Sequence, residues 1–227
     1  MEIVEDLKRI PHLKLDLGFD TDRLLGELRY IDEYVPHEVE DWRDPYFKEK
    51  LRNSWSGRTI IDYFADSKKG MTQTGSISKE DKSKVQITDL GQKCSYMVEC
   101  VKSISNRPGR TRVAKLKAGT DMFWHSHCVM KNYENLPYKT MVCHVPLITN
   151  ERAWHDVTSD WSDEKEVIYT KTYKPGEVWI FNSWYEHRAV NFGDIDRIHI
   201  VSYINLFEPK FLKTVKRALE KYNGPKI

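Results

Sequence analysis

Residues 111–128 read TRVAKLKAGTDMFWHSHC and contain the pattern that decides the fold. The stretch predicts a strand, a turn at Gly119 and a second short strand. Successive side chains of a strand point to opposite faces, so residues two apart share a face. His125 and His127 are therefore predicted to point the same way, an arrangement suited to holding a metal ion.

Four more segments in the second half of the chain are rich in Val, Ile, Thr and aromatic residues. Gly, Pro, Asn and Asp separate them, and no helix of comparable length intervenes. They are YKTMVCHVPLI at 138–148, KEVIYTKTY at 165–173, GEVWIFN at 176–182 and RIHIVSYIN at 197–205. This succession indicates an antiparallel sandwich or barrel.

Helices are predicted towards both ends of the chain. FDTDRLLGELRYIDEYV, residues 19–35, begins with Asp20 and Thr21 as candidate N-caps and continues with leucines at helical spacing. GQKCSYMVECVKSI at 91–104 and EPKFLKTVKRALEKYN at 208–223 show the same amphipathic period. Residues 65–86, rich in Lys, Ser, Thr and Gly, predict a long loop, and a flap over a site is one hypothesis for it.

Composition and charge exclude several classes of function. The 227 residues are 40% hydrophobic and 12% aromatic, which is enough apolar surface for a buried core and argues against disorder. A net charge of +2 gives no field that would gather nucleic acid or an anionic membrane. The 4 cysteines form no CxxC pair, and we find neither a signal peptide nor an apolar run of about 20 residues. We therefore expect a soluble, cytoplasmic protein with free thiols.

Further polar residues are placed where they could join the two histidines. YKPGEVWIFNSWYEHRAVNF, residues 173–192, supplies His187, and the next strand carries Arg197 and His199 on one face. A lone histidine in a strand is more often structural than a ligand, but the combination has a low chance of arising by accident. These residues converge if their strands line the interior of one barrel.

The sequence resembles the aspartyl/asparaginyl β-hydroxylase-like family, which includes small bacterial proline hydroxylases. The resemblance covers roughly residues 107–207, through RVAKLKAGTDMFWHSH, CHVPLITN, YKPGEVWIFNSWYEHRAVN and DRIHIVSYINL. It implies a mainly β fold with flanking helices, the double-stranded β-helix or cupin-like jelly roll. It also implies hydroxylation of an unactivated C–H bond with Fe(II), O2 and 2-oxoglutarate.

We accordingly expect a single oxygenase domain over residues 1–227. Residues 1–106 would be helical and loop support, residues 107–207 the jelly-roll core, and residues 208–227 a C-terminal helix.

Position by position, the resemblance makes His125 the first iron ligand and His187 the distal one. Arg197 becomes the cation that pairs with the far carboxylate of 2-oxoglutarate. His144 matches a residue that contacts the co-substrate in part of the family. The chemistry agrees, because imidazole is a good neutral ligand for Fe(II) and guanidinium offers paired donors to a carboxylate.

His127 departs from the family pattern, in which the residue two after the first histidine is usually Asp and completes a facial triad. Three outcomes are open: His127 is itself a ligand, it holds a ligating water, or it swings aside and leaves a centre of two histidines. Its imidazole fills the space that a halide would take, so halogenation is not favoured.

Two other classes of function stay open. A non-oxoglutarate cupin could use the pair His125-x-His127, but it would take a Glu shortly afterwards, and positions 131 and 132 are Lys and Asn. That hypothesis also leaves Arg197 without a task. In the other alternative, the departure at His127 has abolished iron binding, and the barrel is a catalytically silent binding module.

The expected substrate is a small amino-acid-type molecule, or a peptidyl Asp, Asn or Pro. Arg112 and Arg188 could hold an acidic group, and Trp124 could form part of the wall of the site. We expect no nucleic-acid or membrane partner, and the sequence leaves the oligomeric state open.

Overall fold

The computed structural model describes residues 2–37, 45–72, 85–125, 140–158 and 166–226. The strands in these ranges are β1 His12–Gly18, β2 Val35–Pro36, β3 Trp55–Asp62, β4 Gln86–Ile87, β5 Thr111–Leu116, β6 Thr120–Asp121, β7 Thr140–Ile148, β8 Ala153–Thr158, β9 Tyr169–Thr172, β10 Glu177–Phe181, β11 Glu186–Asn191 and β12 Arg197–Asn205. The α-helices are α1 Glu2–Lys8, α2 Thr21–Glu27, α3 Pro45–Ser54, α4 Lys69–Thr72, α5 Asp89–Lys93, α6 Ser95–Ile104 and α7 Pro209–Glu220.

Two antiparallel sheets face each other. The larger sheet has the order β1-β10-β7-β12-β5-β3-β2, with β4 beside β3, and the smaller sheet has the order β6-β11-β8-β9. Between them, Val142, Phe181 and Val201 of the larger sheet meet Val157 of the smaller one. The prediction of a mainly β jelly roll with flanking helices is confirmed.

The other face of the larger sheet packs against helices. On β12, Ile198, Ile200 and Ile204 join this helix-side core. Arg197 and His199, which alternate with these isoleucines, contact rings of the smaller sheet's side instead. The alternation in RIHIVSYIN therefore separates a packing face from a polar face inside the molecule.

The N-terminal segment differs from the prediction that residues 1–106 are helical and loop support. β1 pairs with β10 at one edge of the larger sheet, and β3 pairs with β5. Leu13 and Leu15 of β1 enter the helix-side core, whereas His12 faces the ring of Tyr169. The strand follows from the period of two in HLKLDLG, a pattern that the helical prediction overlooked.

The predicted helices form, with adjusted ends. α2 begins after Asp20, whose side chain accepts a hydrogen bond from the Arg23 amide, but it ends at Glu27, well before the predicted limit at residue 35. α6 and α7 lie inside the predicted segments 91–104 and 208–223. None of the described helices is long and apolar enough to cross a membrane. Of the predicted loop at 65–86, residues 73–84 lie outside the described residues.

The N-terminus of α6 is capped by a side chain from another helix. Its own N-cap residue, Cys94, makes no side-chain capping bond. Glu27, at the end of α2, accepts hydrogen bonds from the amides of Tyr96 at 2.9 Å and Met97 at 2.8 Å. A carboxylate at this position both satisfies unpaired amides and opposes the positive end of the helix dipole.

We predict that Glu27→Ala lowers the free energy of unfolding by about 2 kcal/mol, because two charge-assisted hydrogen bonds are lost. Urea unfolding followed by circular dichroism measures the change. Glu99→Ala, the same change at an exposed position of α6, is the matched control and is expected to have little effect. Equal urea midpoints for the two variants would show that the Glu27 cap does not contribute to stability.

Candidate active site

His125 and His187 are brought together by the backbone. The His125 amide donates to the His187 carbonyl and the His187 amide donates to the His125 carbonyl, both at 2.9 Å. The two residues form an antiparallel bridge, and their ring centroids are 4.3 Å apart. Strand pairing therefore places the two residues side by side.

The two rings also share one hydrogen-bonding arrangement. His125 Nδ1 lies 2.9 Å from the Phe123 carbonyl oxygen, and His187 Nδ1 lies 2.8 Å from the Tyr185 carbonyl oxygen. A carbonyl oxygen can only accept, so each Nδ1 carries the proton. In the neutral ring Nε2 is then the nitrogen that can coordinate a metal, which is the arrangement that orients metal-binding histidines. Burial lowers the pKa of His125 and so favours the neutral ring.

Arg197 lies between the sheets with only 6% of its surface exposed. Its described hydrogen-bond partners are imidazoles: Nε is 3.1 Å from His199 Nε2, and Nη2 is 3.0 Å from His155 Nε2. Nη1 is buried and has no hydrogen-bond partner among the described residues. Burial lowers the pKa of Arg197 to about 10, so the guanidinium stays charged at neutral pH.

The imidazoles beside Arg197 are held neutral. Burial is the main cause that keeps the pKa values of His155 and His199 well below their usual range, and the charge of Arg197 acts in the same direction. Since His155 Nε2 accepts from Arg197, its Nδ1 carries the proton and donates to the Tyr173 hydroxyl at 2.7 Å. His144 Nδ1 is 3.4 Å from His199 Nδ1, so this predicted co-substrate residue lies at the edge of the same cluster.

Phe181 joins the histidine pair to the arginine cluster. Its ring centroid lies 4.3 Å from that of His187 and 5.0 Å from that of His155. The predicted metal ligands and the predicted 2-oxoglutarate residue therefore border one interior between the two sheets.

The three predicted substrate residues lie in two different places, Arg112 on the larger sheet and Arg188 with Trp124 at the smaller sheet. Arg112 of β5 is buried on the same side of the larger sheet as Tyr203, with its guanidinium carbon 5.8 Å from the Tyr203 ring. Arg188 follows His187 on β11 and therefore points to the opposite face of the smaller sheet. There it pairs with Asp156 at 2.9 Å and lies 5.0 Å from the Trp124 ring. The structure does not bring Arg188 and Trp124 together with the histidine pair.

His127 lies outside the described residues. Within the ranges that are described, no third His, Cys, Asp or Glu joins the pair to form a group of three donors. His155 and Tyr173 were not predicted as site residues. AWHDVT at 153–158 has no long apolar run, so the strand that carries His155 was not recognised. The alternation that places His155 and Val157 on one face was the available signal.

The donor set fits an iron and 2-oxoglutarate site. Two neutral imidazoles with the proton on Nδ1 suit Fe(II), and a buried N–H of Arg197 that has no hydrogen-bond partner among the described residues suits a carboxylate. Burying a guanidinium without a carboxylate is costly, which favours a site that receives its anion from a ligand.

This chain is similar to known proteins in sequence and in fold. The family model described as aspartyl/asparaginyl beta-hydroxylase matches residues 41–205. A crystal structure of an oxidoreductase of the 2OG-Fe(II) oxygenase family from Burkholderia pseudomallei is 10% identical, with 91% of this chain and 90% of that chain covered and a TM-score of 0.52. A prolyl-4-hydroxylase from Pseudomonas putida is also 10% identical, with 90% and 97% covered and a TM-score of 0.45.

A search of the curated proteins found no match. At 10% identity, the similarity to the Burkholderia structure shows the fold alone. The family model, which spans most of the chain, shows the family. This chain belongs to the aspartyl/asparaginyl β-hydroxylase family, whose members are Fe(II)- and 2-oxoglutarate-dependent oxygenases.

Proposed function

We propose that this protein hydroxylates a C–H bond of a small amino-acid-type substrate, with iron at His125 and His187 and 2-oxoglutarate at Arg197. The observation that supports the proposal is a buried guanidinium with no carboxylate partner among the described residues, placed in the same interior as two histidines whose Nδ1 atoms face carbonyl oxygens. A plain cupin site does not require such an arginine, and a silent barrel would gain nothing from its cost in burial.

The histidine pair would hold the metal through the two Nε2 atoms. The Phe123 and Tyr185 carbonyls keep the proton on Nδ1 and fix each ring, so little side-chain entropy is lost on binding. His127 is our proposed third ligand, because the strand predicted for this stretch would place it on the same face as His125. When bound, the iron and 2-oxoglutarate supply the oxidising power for inserting one oxygen atom of O2 into the substrate.

Arg197 would bind the far carboxylate of 2-oxoglutarate. His155 and His199 accept two of its N–H bonds without adding negative charge, so the guanidinium is held in position but not neutralised. Nη1 remains available for a carboxylate oxygen. His144, beside His199, would border the same ligand.

Arg112 is our proposed residue for the substrate carboxylate. It is 5% exposed, and its buried Nε has no hydrogen-bond partner among the described residues. Phe181, Val142 and Tyr203 lie opposite one another on three neighbouring strands, which places Tyr203 roughly 10 Å from Phe181 across the sheet. Because Arg112 lies beside Tyr203 and Phe181 lies beside His187, a small molecule bound to Arg112 would reach towards the metal.

We predict that anaerobic addition of Fe(II) and 2-oxoglutarate gives the weak visible band of a chelated 2-oxo acid in the native protein, and that His187→Ala abolishes it. Absorption spectroscopy makes the measurement. His37→Gln is the matched control, since His37 is also buried with Nδ1 against a carbonyl, that of Met71 at 3.2 Å. A band that survives His187→Ala would contradict the ligand assignment. In the native protein, metal binding without a band would support a plain cupin, and no metal binding would support a silent module.

For His127 we predict that the alanine variant binds Fe(II) at least about tenfold more weakly, because a direct ligand should matter no less than an outer-shell partner. His127→Asp restores a ligand and is expected to bind iron more tightly than the alanine variant. Equilibrium competition with a chelator gives the affinities. Unchanged affinity in His127→Ala would establish a centre of two histidines, and turnover gained only in His127→Asp would show that the native site is silent.

For the substrate we predict that L-proline, L-aspartate or L-asparagine stimulates succinate formation, and that Arg112→Met raises the KM for that amino acid at least about tenfold. The KM for 2-oxoglutarate should not change. Arg188→Met, on the outer face of the smaller sheet, is the matched control and should behave as the native protein. An equal rise in that KM in both variants would contradict the role of Arg112. If none of the three amino acids stimulates succinate formation, the proposed substrate class is contradicted.

A further inference from the structure

A second pocket opens at the edge of the sandwich, away from the histidine pair. It has a volume of about 420 Å³ and lies between β1, β9, β10 and the end of α7. Its walls include His12, Lys171, Trp179 and Tyr222, and none of the residues proposed above to bind iron, 2-oxoglutarate or substrate lines it. A volume of this size suits a small organic molecule.

The charged side chains around this pocket leave one ammonium unbalanced. Lys14 pairs with Glu177 at 2.6 Å, and Lys221 pairs with Asp16 at 2.7 Å. Lys171 makes no salt bridge within the described ranges, and its Nζ lies 4.0 Å from the centroid of the Trp179 ring. Lys171 is partly buried, so its charge is less screened than that of a fully exposed lysine.

His12 is a buried polar residue in the wall of this pocket. It is 2% exposed, and neither ring nitrogen has a hydrogen-bond partner among the described residues. Its neighbours are rings, with Tyr169 at 5.2 Å and Phe181 at 5.1 Å between centroids. Burial lowers the pKa of His12 to about 3, so the ring is neutral and offers one N–H donor. A buried donor without a partner costs stability, and a ligand atom would remove that cost.

We propose that this pocket binds a small carboxylate with an apolar body, with one carboxylate oxygen near Lys171 Nζ and the other accepting from the His12 ring. The apolar body would lie against the rings of Tyr169 and Tyr222. The chemistry is that of a free carboxylic acid, because the pocket presents one ammonium and one neutral donor and not the cluster of guanidinium groups that a phosphate attracts.

His12 also connects this pocket to the proposed catalytic site. The His12 ring contacts Phe181, which borders His187, and lies 6.1 Å from the ring of His155, which holds Arg197. A ligand on His12 would therefore share neighbours with both halves of the proposed catalytic site without occupying either.

Benzoate is a suitable probe, with benzamide as its uncharged counterpart, and calorimetric titration of the full chain measures both affinities. We expect saturable one-to-one binding of benzoate in the millimolar range, weaker binding of benzamide, and about a tenfold loss of benzoate affinity in Lys171→Met. Lys174→Met, at an exposed position near β9, is the matched control and should bind as the native protein.

Arg197→Met distinguishes this pocket from the 2-oxoglutarate site and should keep its benzoate affinity. Loss of binding in Arg197→Met with retention in Lys171→Met would place benzoate in the 2-oxoglutarate site and overturn the proposal. Absence of saturable binding in the native protein, or equal affinity in Lys171→Met and Lys174→Met, would also overturn it. Thermal melting of each variant confirms that it is folded.

Discussion

A positive charge held between two sheets is the constraint on which the site depends. Arg197 is buried on β12, in the middle of the larger sheet, and its described partners are neutral rings. Burying an ion without a counterion costs several kcal/mol. The buried charge of Arg197 therefore destabilises the free protein, and a bound carboxylate would remove that cost. The same charge would provide the affinity for the carboxylate ligand.

The histidine pair adds a second constraint, which is the position of two protons. Each Nδ1 faces the carbonyl of the residue two positions earlier, so both rings have the same tautomer, with Nε2 as the unprotonated nitrogen. Reciprocal backbone bonds between His125 and His187 hold this arrangement on paired backbone segments. A site built on paired strands is more precise than one built on loops, and the protein would need little rearrangement to take up a metal.

Much of the fold could be predicted from alternation and turn residues. RIHIVSYIN became β12 with its polar face inward, and His125 lies beside His187, as expected if their strands line one interior. β1 and β8 were missed because their short, mixed sequences carry a weaker apolar signal, and with them His12 and His155 were missed. The placement of Arg188 could have been predicted, since the residue after an inward His187 must point outward. Of the partners of Arg197, His199 shares its face of β12 and could be predicted, whereas His155 comes from a strand distant in sequence and could not.

The central claim is that Arg197 selects the co-substrate through its far carboxylate. The direct test is to compare 2-oxoglutarate with 2-oxobutyrate, which lacks that carboxylate, by anaerobic titration of the Fe(II)-loaded protein and of its Arg197→Met variant. We predict that the native protein binds 2-oxoglutarate roughly a hundredfold more tightly than 2-oxobutyrate and that the variant loses this preference. Equal affinities in the native protein, or a preference that survives the substitution, would contradict it.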